Sequence, residues 1–195
     1  MHFLRADQLP TAAGEETMST HCITDGNHAI NVADPTGVGT AFREALAHFC
    51  SGVVIVTAAN ATGSPVGMTV GSFTSISMDP PLVGFFAGQN STTLPHIIAE
   101  GRFCVNVLSK DQHRLARTFA RSGVDKFAGT DWAPATNGSP RLAGAHAWID
   151  CTLDQRQSIG DHDLVVGHVD ALVVPQPNEP LVFHRSAFHG LRAHG

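Results

Sequence analysis

The chain has 195 residues, 43% of them hydrophobic and 15% charged, with a formal charge of −5 and a pI near 6.1. This is the composition of one globular domain, long enough to bury a core without metal or disulfide staples. The acidic balance and the lack of a basic stripe argue against a nucleic-acid partner, and no apolar run approaches the roughly 18 residues of a membrane span.

Residues 1–38 read as a region apart. They carry Asp7, Glu15, Glu16, Asp25 and Asp34 against Arg5, and show no helical or strand periodicity, so a flexible extension is expected there. Met18 lies inside it as a second possible start. Residues 39–195 are expected to form the folded domain. No basic segment followed by an apolar one opens the chain, as a secretory signal would require, and a cytoplasmic location is expected. Cys22, Cys50, Cys104 and Cys151 form no C-x-x-C pair and read as reduced thiols, mostly packed as small hydrophobes.

Order begins near Thr40, which can cap a helix that places Phe42, Ala45, Leu46 and Phe49 on one face, with Gly52 as its stop. The β-branched run from Val53 to Thr57 is a buried strand, and the turn chemistry from Asn60 to Pro65 makes it one arm of a hairpin. The second arm starts at Gly67. Met68 and Val70 point to one face, Thr69, Gly71 and Phe73 to the other. A run of hydroxyls follows (Ser72, Thr74, Ser75, Ser77), and Asp79-Pro80-Pro81 forces the strand to stop or run at an edge. Two readings fit this stretch: a serine-rich connection, or a donor-lined backbone for a flat, carbonyl-rich ligand.

Leu82 to Phe86 is another strand, broken by Gly88-Gln89-Asn90-Ser91-Thr92. Thr92 or Thr93 can cap a short helix with Pro95 in its first turn and Ile97 and Ile98 inward. The same polar turn suits an anion, and capping explains it equally well. Phe103 to Leu108 alternates as a strand, Asp111 to Arg121 is a helix with Leu115 and Phe119 inward, and Gly123 is its expected C-cap. A loop through Trp132, Pro134 and Gly138 leads to a strand from Ala145 to Asp154. A long strand from Leu164 to Val174 and a last one from Leu181 to His184 complete the count, with Phe188 just beyond. Six or seven strands with three short helices and no βαβ rhythm predict a mainly β fold, a closed antiparallel barrel with peripheral helices.

The residues offer little acid–base or nucleophilic equipment. There is no Gly-x-Ser-x-Gly elbow, no activated cysteine and no glycine-rich dinucleotide loop. Asp161, His162, Asp163 and His168 cluster, with His184 and His189 downstream. Their spacing matches no known ligand set, and no metal site is expected.

The order of motifs resembles the flavin reductase family. Residues 67–82, Asn90-Ser91-Thr92, residues 103–108, Asp125-Lys126-Phe127, Gly160-Asp161-His162 and residues 181–185 carry the likeness, over about residues 40–192. The resemblance implies an FMN-binding split barrel, a homodimer, and a reductase using NADH or NADPH to supply reduced FMN or FAD to a separate flavin-dependent oxygenase. It places Thr69, Val70, Ser72 and Ser75 at the isoalloxazine edge, with Met68, Phe73, Asn90 and Phe127 in the same binding motifs. It places Ser91 and Thr92 at phosphate, Lys126 on the phosphate side, and His162, the catalytic candidate, where nicotinamide docks. Gly71 stands where alanine or serine is more usual. Phe188 replaces a frequent tyrosine, so that a stacking role survives and a hydroxyl role does not. Two rivals are a flavoenzyme acting directly on a small organic substrate and a non-catalytic flavin-binding module, since fold alone does not decide function. Hydride transfer between two stacked rings asks a protein for geometry and fixed donors rather than a nucleophile.

Overall fold

The computed structural model describes residues 38–175 and 179–191; the proposed extension up to residue 37 lies outside them. Helix α1 (Val38–Ala47) is followed by strands β1 (Ser51–Gly52), β2 (Val54–Ala59), β3 (Pro65–Val70), β4 (Thr74–Met78) and β5 (Pro81–Gly88). Helix α2 (Leu94–Glu100), β6 (Arg102–Val107), a 3-10 turn (Lys110–Gln112) and α3 (His113–Phe119) come next. The chain ends with β7 (Trp132–Pro134), β8 (Pro140–Leu142), β9 (Ala147–Ile159), β10 (His162–Val173), β11 (Leu181–His184) and β12 (Ala187–Gly190).

The main sheet is seven-stranded and antiparallel throughout, in the order β3-β2-β6-β9-β10-β5-β4. Two small sheets join it, β1-β11-β12 and the β7-β8 hairpin. Val54, Val56, Val70, Phe85, Phe103, Val105 and Val165 meet in one core beside Leu94 and Ile97 of α2, so the sheet curls round its own apolar face. A second core under α3 gathers Ile55, Leu108, Ala116, Phe119 and Leu142. The class is therefore mainly β with antiparallel sheets and peripheral helices. The outermost strands, β3 and β4, are consecutive in the chain, and among the described residues no ladder joins them.

Several local expectations hold. Asn60 Oδ1 accepts the N–H groups of Thr62 and Ser64 and closes the β2–β3 hairpin. Asp79-Pro80 is a cis turn, and the strand before it is an edge strand, as the double proline requires. Others need correction. Helix α1 begins at Val38, so Thr40 lies within its first turn, and the helix ends at Ala47, well before Gly52. Gly52 belongs to β1 and pairs with Val182. Phe42, Leu46 and Phe49 are 57%, 54% and 76% exposed, so the apolar face of the helix is bare among the described residues; periodicity reveals an apolar face without saying what covers it. The loop through Trp132 and Gly138 is a hairpin too short to leave a periodic signal. Phe188 lies within β12, paired with Phe183, because Arg185 and Ser186 both take positive φ and turn the chain back. The strand expected from Ala145 to Asp154 starts at Ala147 and runs on to Ile159 as β9, and Gly160-Asp161 is its turn into β10.

Candidate functional site

Four connections converge on a cleft of about 450 Å³: the β3–β4 link, the β5–α2 turn, the segment after α3 and the β9–β10 turn. Of the residues singled out from sequence, Met68, Thr69, Val70, Ser72, Asn90, Ser91, Thr92, Lys126 and His162 line it. The other four do not. Phe73 packs against the main core, and Ser75 is exposed on β4. Phe127 stacks edge-on against Phe119 and Trp132 and faces a neighbouring cleft. Phe188 lies with its ring centroid 5.2 Å from that of Phe183, under the Arg117 guanidinium. Together with Thr69 and Gly71 it lines an adjoining apolar slot of about 390 Å³.

The hydroxyls have local employment. Thr69 Oγ1 donates to the Ala116 carbonyl (2.7 Å), tying β3 to α3. Ser72 Oγ donates to the Phe86 carbonyl and accepts the Phe86 N–H, both at 3.0 Å, and so pins the β3–β4 link to β5. Ser91 Oγ accepts the Thr93 and Leu94 N–H groups (3.3 and 3.2 Å) and caps α2. Thr93 occupies the N-cap position, but its own hydroxyl donates to the Gly67 carbonyl (3.3 Å). The expected hydroxyl donors are thus largely structural.

What faces the cleft is backbone and cation. The Gly67 carbonyl accepts from Lys126 Nζ (2.8 Å), so it points away from β2. Alternate residues of a strand turn N–H and C=O to the same side, which aims the Thr69 N–H at the same open edge. Gly67 also has to be glycine: a Cβ there would lie 2.8 Å from the Phe119 ring. Burial lowers the Lys126 pKa by stripping water from the ammonium, which keeps the Gly67 carbonyl and, at 3.5 Å, the Thr93 hydroxyl as neutral partners. The remaining ionisable residues lining the cleft are Arg121 and His162, with no carboxylate among them. Arg121, the expected last residue of the helix from Asp111 and not among the candidate site residues, lies in the segment after α3 and lines the cleft.

His162 Nδ1 lies 2.7 Å from Asp161 Oδ1. A carboxylate only accepts, so the proton is on Nδ1 and Nε2 is left for the cleft, near Gly88. That hydrogen bond holds the Asp161 carboxyl below its ordinary pKa. Directly behind, buried Asp163 accepts from Ser158 (2.7 Å) and Arg156 (2.6 Å), and its pKa is also lowered, by Ser158 first and Arg156 next. These bonds stiffen the β9–β10 turn that carries His162. Among the described residues, no three of His, Cys, Asp and Glu gather as a metal set, and no helix is long and apolar enough to cross a membrane.

Fold and site together define a curled antiparallel β protein with a carboxylate-free cleft, where an edge-strand N–H, a desolvated lysine and a fixed imidazole suit a planar, anionic ligand. Residues 46–192 match the family described as flavin reductase like domain, and the chain belongs to it. It is 44% identical over 152 residues to a flavin reductase of Pseudomonas putida, covering 78% of this chain and 89% of that protein. It is 39% identical over 167 residues to HsaB, the reductase subunit of a flavin-dependent monooxygenase of Rhodococcus jostii, covering 86% and 83%. The solved structure of SgcE6, an NADH:FAD oxidoreductase of Streptomyces globisporus, matches with a TM-score of 0.79 at 30% identity, over 87% of this chain and all of that one.

Proposed function

We propose that the protein is an NAD(P)H:flavin oxidoreductase that reduces FMN or FAD and supplies the reduced flavin to a separate flavin-dependent monooxygenase. The observation that carries this is the cleft itself, in which, among the described residues, Lys126 has no counter-ion and the Thr69 edge N–H has no strand beside it. Those features fit a flavin, which presents a carbonyl-rich ring edge at one end and phosphate at the other. When bound, the flavin supplies the acceptor for a hydride from the nicotinamide.

The chain's own residues then have distinct tasks. Backbone donors of residues 69–72 hold the carbonyl edge, where fixed N–H groups stabilise developing negative charge. Lys126 and Thr92 hold phosphate, with Ser91 keeping the turn in shape. His162, its tautomer set by Asp161, orients the nicotinamide by hydrogen bonding rather than by moving a proton. The protein's share of the catalysis is alignment and exclusion of water. The domain of residues 39–195, with its curled sheet, is read as the FMN-binding split barrel, acting in the cytoplasm as a homodimer. The bare apolar face of Phe42, Leu46 and Phe49, and Met78 at 89% exposure, support a covering second copy.

The test is a steady-state matrix of FMN and FAD against NADH and NADPH with flavin-free protein. Flavin-dependent oxidation, with flavin separating from the protein on gel filtration, is the expected result. No oxidation in any combination would leave a binding module only, and retained flavin would indicate an enzyme acting directly on another substrate.

A further inference from the structure

Lys126 separates two clefts. Thr92, Thr93 and Lys126 line both the flavin cleft and a second one of about 300 Å³, which Gly67 also lines. The second cleft adjoins the first at Lys126, and its walls differ. Val66, Val124 and Phe127 give it apolar and aromatic surface, and His96 on the exposed side of α2 gives it an imidazole. The Phe127 ring is fixed, edge-on to Phe119 at 5.0 Å and to Trp132 at 6.1 Å between centroids. Asp125 is the carboxylate on this rim, and it is engaged in the loop: Oδ1 accepts the N–H groups of Phe127 and Ala128 at 3.0 and 3.2 Å.

FMN ends at its phosphate. FAD continues through a second phosphate into adenosine. A volume of this size lies at the lower end of the roughly 300–1,000 Å³ typical of small-molecule pockets, enough for a purine nucleoside and its phosphate but not for a second whole cofactor. We propose that the second cleft takes the adenosine monophosphate half of FAD, with the Lys126 ammonium between the two phosphates, so that the protein prefers FAD to FMN. This rests on the flavin reading of the first cleft. Adenine lies along Val66, Val124 and Phe127, and His96 faces the adenosine side. The poor solvation of Lys126 agrees with a cation that gains two anionic partners on binding.

The same adenosine diphosphate chemistry occurs in NADH, and the experiment separates the two sources. Flavin-free protein is titrated with FAD, FMN and riboflavin by flavin fluorescence, in the wild type and in a His96→Ala/Val124→Ala double variant. Both positions are outside the core, and retained FMN binding reports that the variant is folded. The wild type binds FAD about tenfold more tightly than FMN, and the double variant loses most of that preference while FMN changes less than about twofold. ADP added to the wild type weakens FAD binding and leaves riboflavin binding alone. Equal affinities for FAD and FMN in the wild type would overturn the proposal and leave the flavin reading intact. So would a double variant whose FAD preference is unchanged while its KM for NADH rises, which would give the cleft to the nicotinamide nucleotide. Failure of all three flavins to bind would instead overturn the reading of the first cleft.

Discussion

The outer face of β6 and β9 and the cleft beside β3 both place polar groups among apolar neighbours, and they settle them in opposite ways. On the outer face the groups answer one another. Buried Asn106 donates to the Ile55 carbonyl and to Thr57 Oγ1, both at 3.0 Å, and accepts the Leu142 N–H at 2.7 Å. Thr57 in turn donates to the Pro140 carbonyl, and Arg141 grips buried Asp150 through two hydrogen bonds, closing the β7–β8 hairpin over the sheet. Ser139 Oγ is the one buried side-chain atom left without a partner among the described residues. In the cleft the Thr69, Ser72 and Ser91 hydroxyls are bonded within the fold, whereas Lys126 and Arg121 have no carboxylate partner among the described residues. A structural polar group is worth its burial only when paired, whereas a binding site keeps its pairing capacity for the ligand.

The largest expected effect lies on the closed side. Arg141→Ala leaves Asp150 as a buried, unpaired charge and should lower stability by about 3 kcal/mol, at the lower edge of the range for broken buried pairs because the Arg141 side chain is itself 22% exposed. For a domain of this size that corresponds to a Tm lower by roughly 10 °C in a thermal melt. Flavin affinity of the folded protein should stay unchanged. An altered flavin affinity would mean that the two regions are coupled, and the comparison would fail.

His162→Ala tests the open side. It should lower kcat/KM for NADH by roughly ten- to a hundredfold, about 1.4–2.8 kcal/mol of transition-state positioning, with flavin affinity within about twofold. An unchanged kcat/KM would reduce His162 to a turn residue held by Asp161.

Lys126→Met sharpens the contrast, because removing a charge here should spare the fold. FMN binding should weaken by about tenfold or somewhat more, as a hydrogen bond to a charged group is lost, while riboflavin, which lacks phosphate, stays within about twofold. The pH dependence has a definite sign. Burial lowers the Lys126 pKa in the folded protein, so the unfolded chain holds its proton to higher pH. Stability therefore rises as pH climbs from the folded pKa to the ordinary lysine value, and the variant should lose that rise. Phosphate favours the charged form, so the advantage of FMN over riboflavin should fade as pH rises through the lowered pKa. An equal loss of FMN and riboflavin would show that Lys126 holds the cleft's shape and not a phosphate.

The smallest effect belongs to the N-terminal region. Deletion of residues 1–30 should leave Tm and reductase activity nearly unchanged, since that stretch has no apolar period with which to dock. A loss of several degrees would show that it packs on the domain or on a second copy.

Local chemistry made much of this legible. The alternation of Met68 and Val70, the Asn60 turn, the double proline and the β-branched runs each imply their own element within a few residues. The motif order then placed nine of the thirteen singled-out residues in one cleft. What sequence could not reveal was which side chains were already spoken for. Thr69 reaches its acceptor 47 positions away in α3, and Ser72 and Phe86 meet only because β5 folds back beside the β3–β4 link. Asp150 is a charged residue in mid-strand, and it is buried because the β7–β8 hairpin covers it and supplies Arg141. Periodicity reports which face of an element is apolar; hydrogen-bond partners and covering layers come from residues remote in the chain. Sequence alone therefore determined the β class and the cleft's main residues. The tertiary structure decided that the Thr69, Ser72 and Ser91 hydroxyls tie the walls of the cleft together, while Lys126 and Arg121 line it with no carboxylate partner among the described residues.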